Sequence, residues 1–175
     1  NKTNGVTPRR WLLQANPRLA DLLTRRVGPG WITDLEQTEA LVVGGDQASL
    51  HEELLAIKLA NKTDLAHLVL ESTGITVDPD SLFDVQIKRI HEYKRQLLNL
   101  LHVAHLAISI AEDGLVLPEP RTILLSGKAA PSYHVAKMVI HLANAMPAAI
   151  EADPRVREQL RLVFLPDYRV SLAER

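Results

Sequence analysis

The sequence predicts an α/β domain, in which a parallel β-sheet is covered by helices, preceded by a mostly helical segment. Two short apolar runs, at residues 122–125 and 162–165, are too short for helices and are typical of strands buried on both faces. Strand and helix signals also alternate as strand, helix, strand, helix, strand over residues 81–175. Buried strands joined through helices indicate a parallel sheet with right-handed crossovers. We therefore expect a Rossmann-like half-domain at residues 81–175 and a helical segment at residues 1–80.

Helix signals dominate the first 80 residues. A capping side chain followed by proline, the usual start of a helix, occurs at Thr7 with Pro8 and at Asn16 with Pro17. The glycines around residue 29 end the second of these helices. Residues 34–43 favour a further short helix. Asp46 is placed to cap a long amphipathic helix that stops at Gly74.

The second part of the chain has the signals of a β-sheet domain. Residues 83–87 alternate apolar and polar side chains, which predicts a strand. Residues 92–112 have the apolar spacing of a helix, and Pro131 is placed to begin the next one.

Composition excludes several classes of protein. The chain has 175 residues, of which 46% are hydrophobic and 23% charged, as in an ordinary globular domain. Its net charge of −1 argues against an RNA- or DNA-binding module, and no apolar run reaches the roughly 18 residues that a membrane helix needs. There is no cysteine, and none of the seven histidines has metal-ligand spacing. We expect a cytoplasmic protein without a metal site.

The densest group of charges follows the first predicted strand. Residues 88–95 read KRIHEYKR, with Glu92 offsetting one of four cations. Cations are unfavourable at the start of a helix, where the helix dipole is positive. A bound anion is favourable there and would offset the repulsion between these cations and the helix dipole. The alternative is a solvated basic face, or ion pairs with neighbouring carboxylates.

Cations follow each of the three predicted strands. Lys88 and Arg89 follow the first strand, Lys128 the second and Arg169 the third. Because the carboxyl ends of parallel strands meet at one edge, where such sheets bind ligands, we expect these side chains to converge there. Trp11 and Trp31 are, on residue type alone, expected to be packing residues.

Four segments resemble the α-glucan phosphorylases. Residues 3–11 read TNGVTPRRW and residues 83–96 read FDVQIKRIHEYKRQ, and both are similar to segments of that family. Residues 127–131, GKAAP, and 167–171, DYRVS, resemble two more in the same order. Together they extend over essentially the whole chain.

This resemblance implies a fold, a reaction and a cofactor. The fold is of glycosyltransferase B type, and this chain would form the first part of its C-terminal domain. The reaction is phosphorolysis of terminal α-1,4-linked glucose from glycogen, starch or maltodextrin, using inorganic phosphate and giving glucose 1-phosphate. The cofactor is pyridoxal phosphate, which acts through its phosphate group. The parent enzyme would be a homodimer that binds neither nucleic acid nor membrane.

The resemblance also implies roles for individual residues. Arg89 and Lys94 would bind the substrate phosphate, and Lys88 and Arg169 would face the cofactor phosphate. Tyr168 would lie beside that phosphate and Trp11 near the cofactor ring. Asn4 would hydrogen-bond a hydroxyl of the transferred glucose, and Tyr93 would contact the sugar or the phosphate. Lys128 and His91 would be supporting residues near the site. The implied role of Trp11 replaces the expectation that it only packs.

The chain departs from the family pattern in two respects. Ser126 and Ser132 stand where the family usually has glycine, and a side chain there narrows the backbone angles available to the loop. The segment like GTGNMKF, which carries the cofactor-attaching lysine, does not occur in these 175 residues. We therefore expect a fragment of a longer enzyme that is inactive by itself, the alternative being a stand-alone anion-binding α/β domain.

Overall fold

The computed structural model describes residues 6–43 and 47–174. By their contacts these residues form two compact units, one of the described residues up to Asp64 together with residues 170–174, and the other of Leu65–Arg169. The strands are β1 (Leu82–Ile87), β2 (Arg121–Ser126) and β3 (Leu160–Leu165). The α-helices are α1 (Pro17–Val27), α2 (Ala40–Val43), α3 (Gln47–Thr73), α4 (Gln96–Glu112), α5 (His134–Ala152), α6 (Pro154–Arg157) and α7 (Val170–Ala173).

The second unit contains a three-stranded parallel sheet in the order β1-β2-β3. The register aligns the last residues of the strands, so that Ile87 pairs with Ser126 and Ser126 with Leu165. The predicted α/β class and parallel sheet are confirmed. All three strands therefore end level at one edge, and the loops that follow them start side by side.

Both faces of β2 and β3 are buried, as their continuous apolar runs predict. Ile123 and Leu125 of β2 lie in a core with α4 and α5, whereas Leu124 between them packs on the opposite face with Val69 of α3. The two crossover helices therefore share one face, and the end of α3 covers the other. Strand β1 is at the edge of the sheet, where Val85 is 49% exposed.

The first unit is helical and has a small core of its own. The Asn16 side chain accepts a hydrogen bond from the Leu19 N–H at 3.2 Å, which confirms the predicted start of α1. Trp31 is fully buried, and its indole N–H donates to Thr24 Oγ1 at 3.1 Å. Its expected role in packing is thereby confirmed.

The chain around the first predicted helix start forms a π-helix at Arg9–Gln14. The structure does not show the predicted side-chain cap at Thr7. The Thr7 carbonyl, rather than its hydroxyl, accepts a hydrogen bond from the Trp11 N–H at 3.0 Å. Residues 34–43 form a 3₁₀-helix at Leu35–Glu39 followed by α2, rather than one helix. The predicted cap at Asp46 lies outside the described residues.

Two predicted helix starts are wrong by three or four residues. Helix α4 begins at Gln96 rather than at Glu92, because Arg95 adopts a left-handed conformation (φ +61°) that separates it from a 3₁₀ turn at Glu92–Lys94. Helix α5 begins at His134, since the chain after Pro131 first makes a turn closed by the Tyr133 N–H on the Ala130 carbonyl at 3.0 Å.

Candidate anion-binding site

The loops that follow β1 and β2 are hydrogen-bonded to each other. The Lys88 N–H donates to the Ser126 carbonyl at 3.1 Å, and the Ile90 N–H donates to the Lys128 carbonyl at 3.1 Å. These two bonds continue the pairing of the strands beyond their ends. They hold the backbone of Lys88 beside that of Lys128.

Gly127 allows this close approach. A Cβ atom on Gly127 would lie 2.1 Å from the Lys88 carbonyl oxygen, which is far inside van der Waals contact. Any larger residue would push the two loops apart. The glycine of the GKAAP segment thus has a steric role at this edge of the sheet.

A carboxylate joins the ends of β2 and β3. Asp167 Oδ1 lies 2.9 Å from Lys128 Nζ, and Asp167 Oδ2 forms an ion pair with Arg169 Nη1. The hydrogen bond from Lys128 and the nearby positive charge of Arg169 lower the pKa of Asp167. The predicted convergence is therefore confirmed for Lys128 and Arg169, and it stays a prediction for the side chains of Lys88 and Arg89.

Two glutamines hold the loop between β1 and α4 in place. Gln96 is 2% exposed, and its amide donates to the Arg89 carbonyl at 3.1 Å while its carbonyl accepts from the His91 N–H at 3.3 Å. Gln86 donates to the Lys94 carbonyl at 3.1 Å and accepts from the Asn99 side chain at 2.9 Å. The backbones that carry Arg89 and Lys94 are thus fixed from both ends of the loop.

The four cations of this loop lack a counter-charge among the described residues. Lys88, Arg89 and Arg95 are exposed and Lys94 is half-buried, and none of them forms an ion pair with a carboxylate among residues 6–43 and 47–174. The ion-pair interpretation of these four charges therefore finds no support in the described structure. An approaching anion would meet unneutralised charge.

Glu92 does not neutralise these cations either. Its carboxylate accepts from the Tyr133 hydroxyl at 2.7 Å, and the Glu92 N–H donates to the same hydroxyl at 3.2 Å. The bond to the carboxylate raises the pKa of the Tyr133 phenol. Glu92 thereby ties the β1–α4 loop to the turn before α5.

Aromatic rings border the cationic loop. The His91 ring lies 4.2 Å from the Tyr93 ring and 5.1 Å from the Tyr133 ring, measured between centroids. Tyr93 is 71% exposed, and Lys94 Nζ lies 5.6 Å from the centroid of its ring. Tyr93 and His91 are thus available beside the cations.

The other predicted site residues lie at different places. Tyr168 is half-buried between Asp167 and Arg169 in the chain after β3. Trp11 belongs to the first unit, where the Arg10 guanidinium lies 5.7 Å from its ring centroid. Asn4 lies outside the described residues, and the roles of all three stay predictions.

The residues of the site that were not assigned from the sequence include Gln96, Asp167 and Tyr133. A role for Gln96 could have been predicted, because it shares a helix face with the buried Leu100 and Val103, where a polar side chain needs hydrogen-bond partners. The roles of Asp167 and Tyr133 could not be predicted from the sequence, because their contacts depend on how loops from different strands meet.

Among the described residues, no group of three or more histidine, aspartate or glutamate side chains could hold a metal ion. No helix in that part of the chain is long and apolar enough to cross a membrane.

Comparison with known proteins identifies the family. Residues 1–175 match the family described as carbohydrate phosphorylase. The chain is 46% identical over 175 residues to glycogen phosphorylase of Synechocystis sp. and to the muscle form of Oryctolagus cuniculus, and 47% identical over 176 residues to the brain form of Bos taurus. Each alignment covers 100% of this chain and 21% of the relative, so the chain spans about a fifth of their length. Because the match extends over the whole chain, the chain belongs to the carbohydrate phosphorylase family.

Proposed function

We propose that the full-length protein containing this chain releases glucose 1-phosphate from the end of an α-1,4-glucan. In this reaction inorganic phosphate forms a bond to C1 of the terminal glucose, the C1–O4 bond breaks, and the leaving O4 takes up a proton. Membership of the carbohydrate phosphorylase family supports the proposal. The observation that carries it is a sheet edge with cations that have no counter-charge among the described residues.

Arg89 and Lys94 are the proposed ligands of the substrate phosphate. The planar guanidinium can form paired hydrogen bonds with phosphate oxygens, and the ammonium supplies a compact charge. The hydrogen bonds of Gln96 and Gln86 to their backbone carbonyls support this assignment. Groups already in position stabilise a developing charge without a cost of rearrangement.

Lys88, Arg169 and Tyr168 are the proposed ligands of the phosphate of pyridoxal phosphate. The residues present fit such a group, because two exposed cations and a phenol follow β1 and β3, the strands on either side of β2, and all three strands end at one edge. When bound, the cofactor would supply a phosphate group that can donate and take back a proton beside the substrate phosphate. Lys128 would support this site, and Trp11 would pack near the cofactor ring.

The sugar would be bound by residues around this edge. Tyr93 is exposed beside Lys94, so its phenol can reach the glucose or the phosphate. Asn4 is proposed to bind a hydroxyl of the transferred glucose, and His91 to support Tyr93 through ring contact. We propose further that residues 1–80 line the active-site cleft and that the full-length enzyme is a cytoplasmic homodimer.

The test measures glucose 1-phosphate released by the full-length protein from maltodextrin and inorganic phosphate. The wild type is expected to release it, and Lys94→Ala to lose turnover by more than about 100-fold with little change in melting temperature. Arg157→Ala is the matched control, because Arg157 is an exposed cation before β3, at the opposite edge of the sheet. Its activity should equal that of the wild type.

Two results would contradict the proposal. Absence of product with the wild-type protein would refute the reaction itself. If the protein bound phosphate without releasing product, the alternative of an anion-binding domain without catalysis would be favoured. Retained turnover in Lys94→Ala would refute the assignment of that residue.

A further inference from the structure

The cations at the sheet edge divide into two groups. Lys88, Arg89 and Lys94 form no ion pair with a described carboxylate, whereas Lys128 and Arg169 both contact Asp167. Each oxygen of Asp167 contacts one of the two cations. A single carboxylate therefore bridges side chains from neighbouring strand ends.

This bridge is exposed and therefore easily displaced. The Lys128 and Asp167 side chains are 56% and 63% exposed, and that of Arg169 is 60% exposed. Exposed ion pairs contribute little to stability because water screens them and side-chain entropy opposes them. A phosphate dianion carries twice the charge and more acceptor oxygens, so it can replace the carboxylate on both cations.

We propose that Asp167 is an internal competitor that occupies Lys128 and Arg169 until a phosphate group binds there. The inference rests on the proposed function, because it concerns Arg169, a proposed ligand of the cofactor phosphate, and Lys128, the proposed supporting residue of that site. Asp167 holds the two cations at the edge in the absence of an anion. Its negative charge also weakens the binding of phosphate, so this residue sets the affinity of the site.

The backbone at Asp167 makes a clean test possible. Its φ of +53° lies in the left-handed region, which asparagine and glycine accept readily. Asp167→Asn therefore removes the charge and keeps the backbone and size of the side chain. Asp167→Gly removes the whole side chain and is equally compatible with this φ.

The proposal predicts that phosphate binds more tightly once the charge is removed. Repulsion between a carboxylate and a dianion a few ångströms apart in a solvated site corresponds to a roughly three- to tenfold change in dissociation constant. The gain should shrink as salt is added, because screening weakens the repulsion. A residue with a purely structural role would not produce this salt dependence.

The experiment measures the dissociation constant of inorganic phosphate by calorimetry on the cofactor-free full-length protein. Wild type, Asp167→Asn and Asp167→Gly are compared at low and high salt, and glucose 1-phosphate release by the cofactor-loaded wild type is measured separately. Asp153→Asn is the matched control. Asp153 is also a carboxylate paired with an arginine, Arg155, but it precedes β3 and so lies at the opposite edge.

Tighter binding by both Asp167 variants, with unchanged binding by Asp153→Asn, is the expected result. Unchanged or weaker binding by the Asp167 variants would overturn the inference, and if the wild type still released glucose 1-phosphate, the proposed function would stand. An equal gain in Asp153→Asn would also overturn it, because the effect would then be one of overall charge. A wild-type protein that neither bound phosphate nor released product would overturn both.

Discussion

Gly127 is the single residue on which the position of Lys88 most directly depends. Its missing side chain leaves room for the Lys88 carbonyl, which would lie 2.1 Å from a Cβ atom. A methyl group cannot be accommodated there without movement of the β1–α4 loop. The proposed phosphate ligands Lys88 and Arg89 would move with it.

Gly127→Ala in the full-length protein should therefore lower kcat/KM by roughly 100-fold, the effect expected when catalytic groups shift by about 1 Å. Gly74→Ala is the control, since Gly74 has a positive φ (+74°) but open space around its Cβ position. That variant should lose about 1 kcal/mol of stability and keep its kinetics. Equal kinetics in the two variants would contradict the steric role of Gly127.

Ser126 is one of the two serines at positions where the resemblance to the α-glucan phosphorylases implies glycine. It is buried at the end of β2, and its hydroxyl donates to the Leu165 carbonyl on β3 at 2.6 Å. Ser126→Gly should cost about 1–2 kcal/mol in the free energy of unfolding, through the lost bond and the added freedom of the chain. Denaturant unfolding measures this, and kcat/KM should change less than about twofold. A large loss of activity would show that the hydroxyl serves the site.

At the scale of elements, the β1–α4 loop depends on the buried Gln96. Its side chain bonds to the backbone at Arg89 and His91, and Gln96→Leu would leave both groups without that partner. The variant should be destabilised by about 1–3 kcal/mol and should show a raised KM for phosphate.

A control variant distinguishes an effect on the position of the β1–α4 loop from an effect on overall stability. Leu100 is fully buried on the same helix face, so Leu100→Ala should cost about 2–5 kcal/mol and leave the loop bonds in place. Steady-state kinetics well below the melting temperature should show a raised KM for phosphate only in Gln96→Leu. A similar KM in the two variants would mean that Gln96 contributes only stability.

The elements also show what the sequence could predict. The strands and the shared edge of their cations followed from apolar runs and parallel pairing, which depend on local pattern and topology. The starts of α4 and α5 could not be predicted in this way. The left-handed conformation of Arg95 and the turn before Tyr133 have no strong signal in the local sequence. The bridge from Lys128 through Asp167 to Arg169 arises only when loops from separate strands meet.

At the scale of the whole molecule, the chain supplies only part of what the proposed reaction requires. It spans 21% of the relatives it matches. The cofactor-attaching segment that the resemblance to the α-glucan phosphorylases implies does not occur in these 175 residues. The isolated 175-residue chain should therefore release no glucose 1-phosphate from maltodextrin and phosphate. An enzymatic assay with the full-length protein as the positive control measures this. Product formation by the isolated chain would contradict the account.

The most direct test of the account is a crystal structure of the full-length protein with pyridoxal phosphate and inorganic phosphate bound, which would show where phosphate binds. It should show two neighbouring phosphorus atoms at the carboxyl edge of the sheet, one bound by Arg89 and Lys94 and the other by Lys88 and Arg169. Inorganic phosphate bound elsewhere, with these four side chains remaining in solvent, would contradict it.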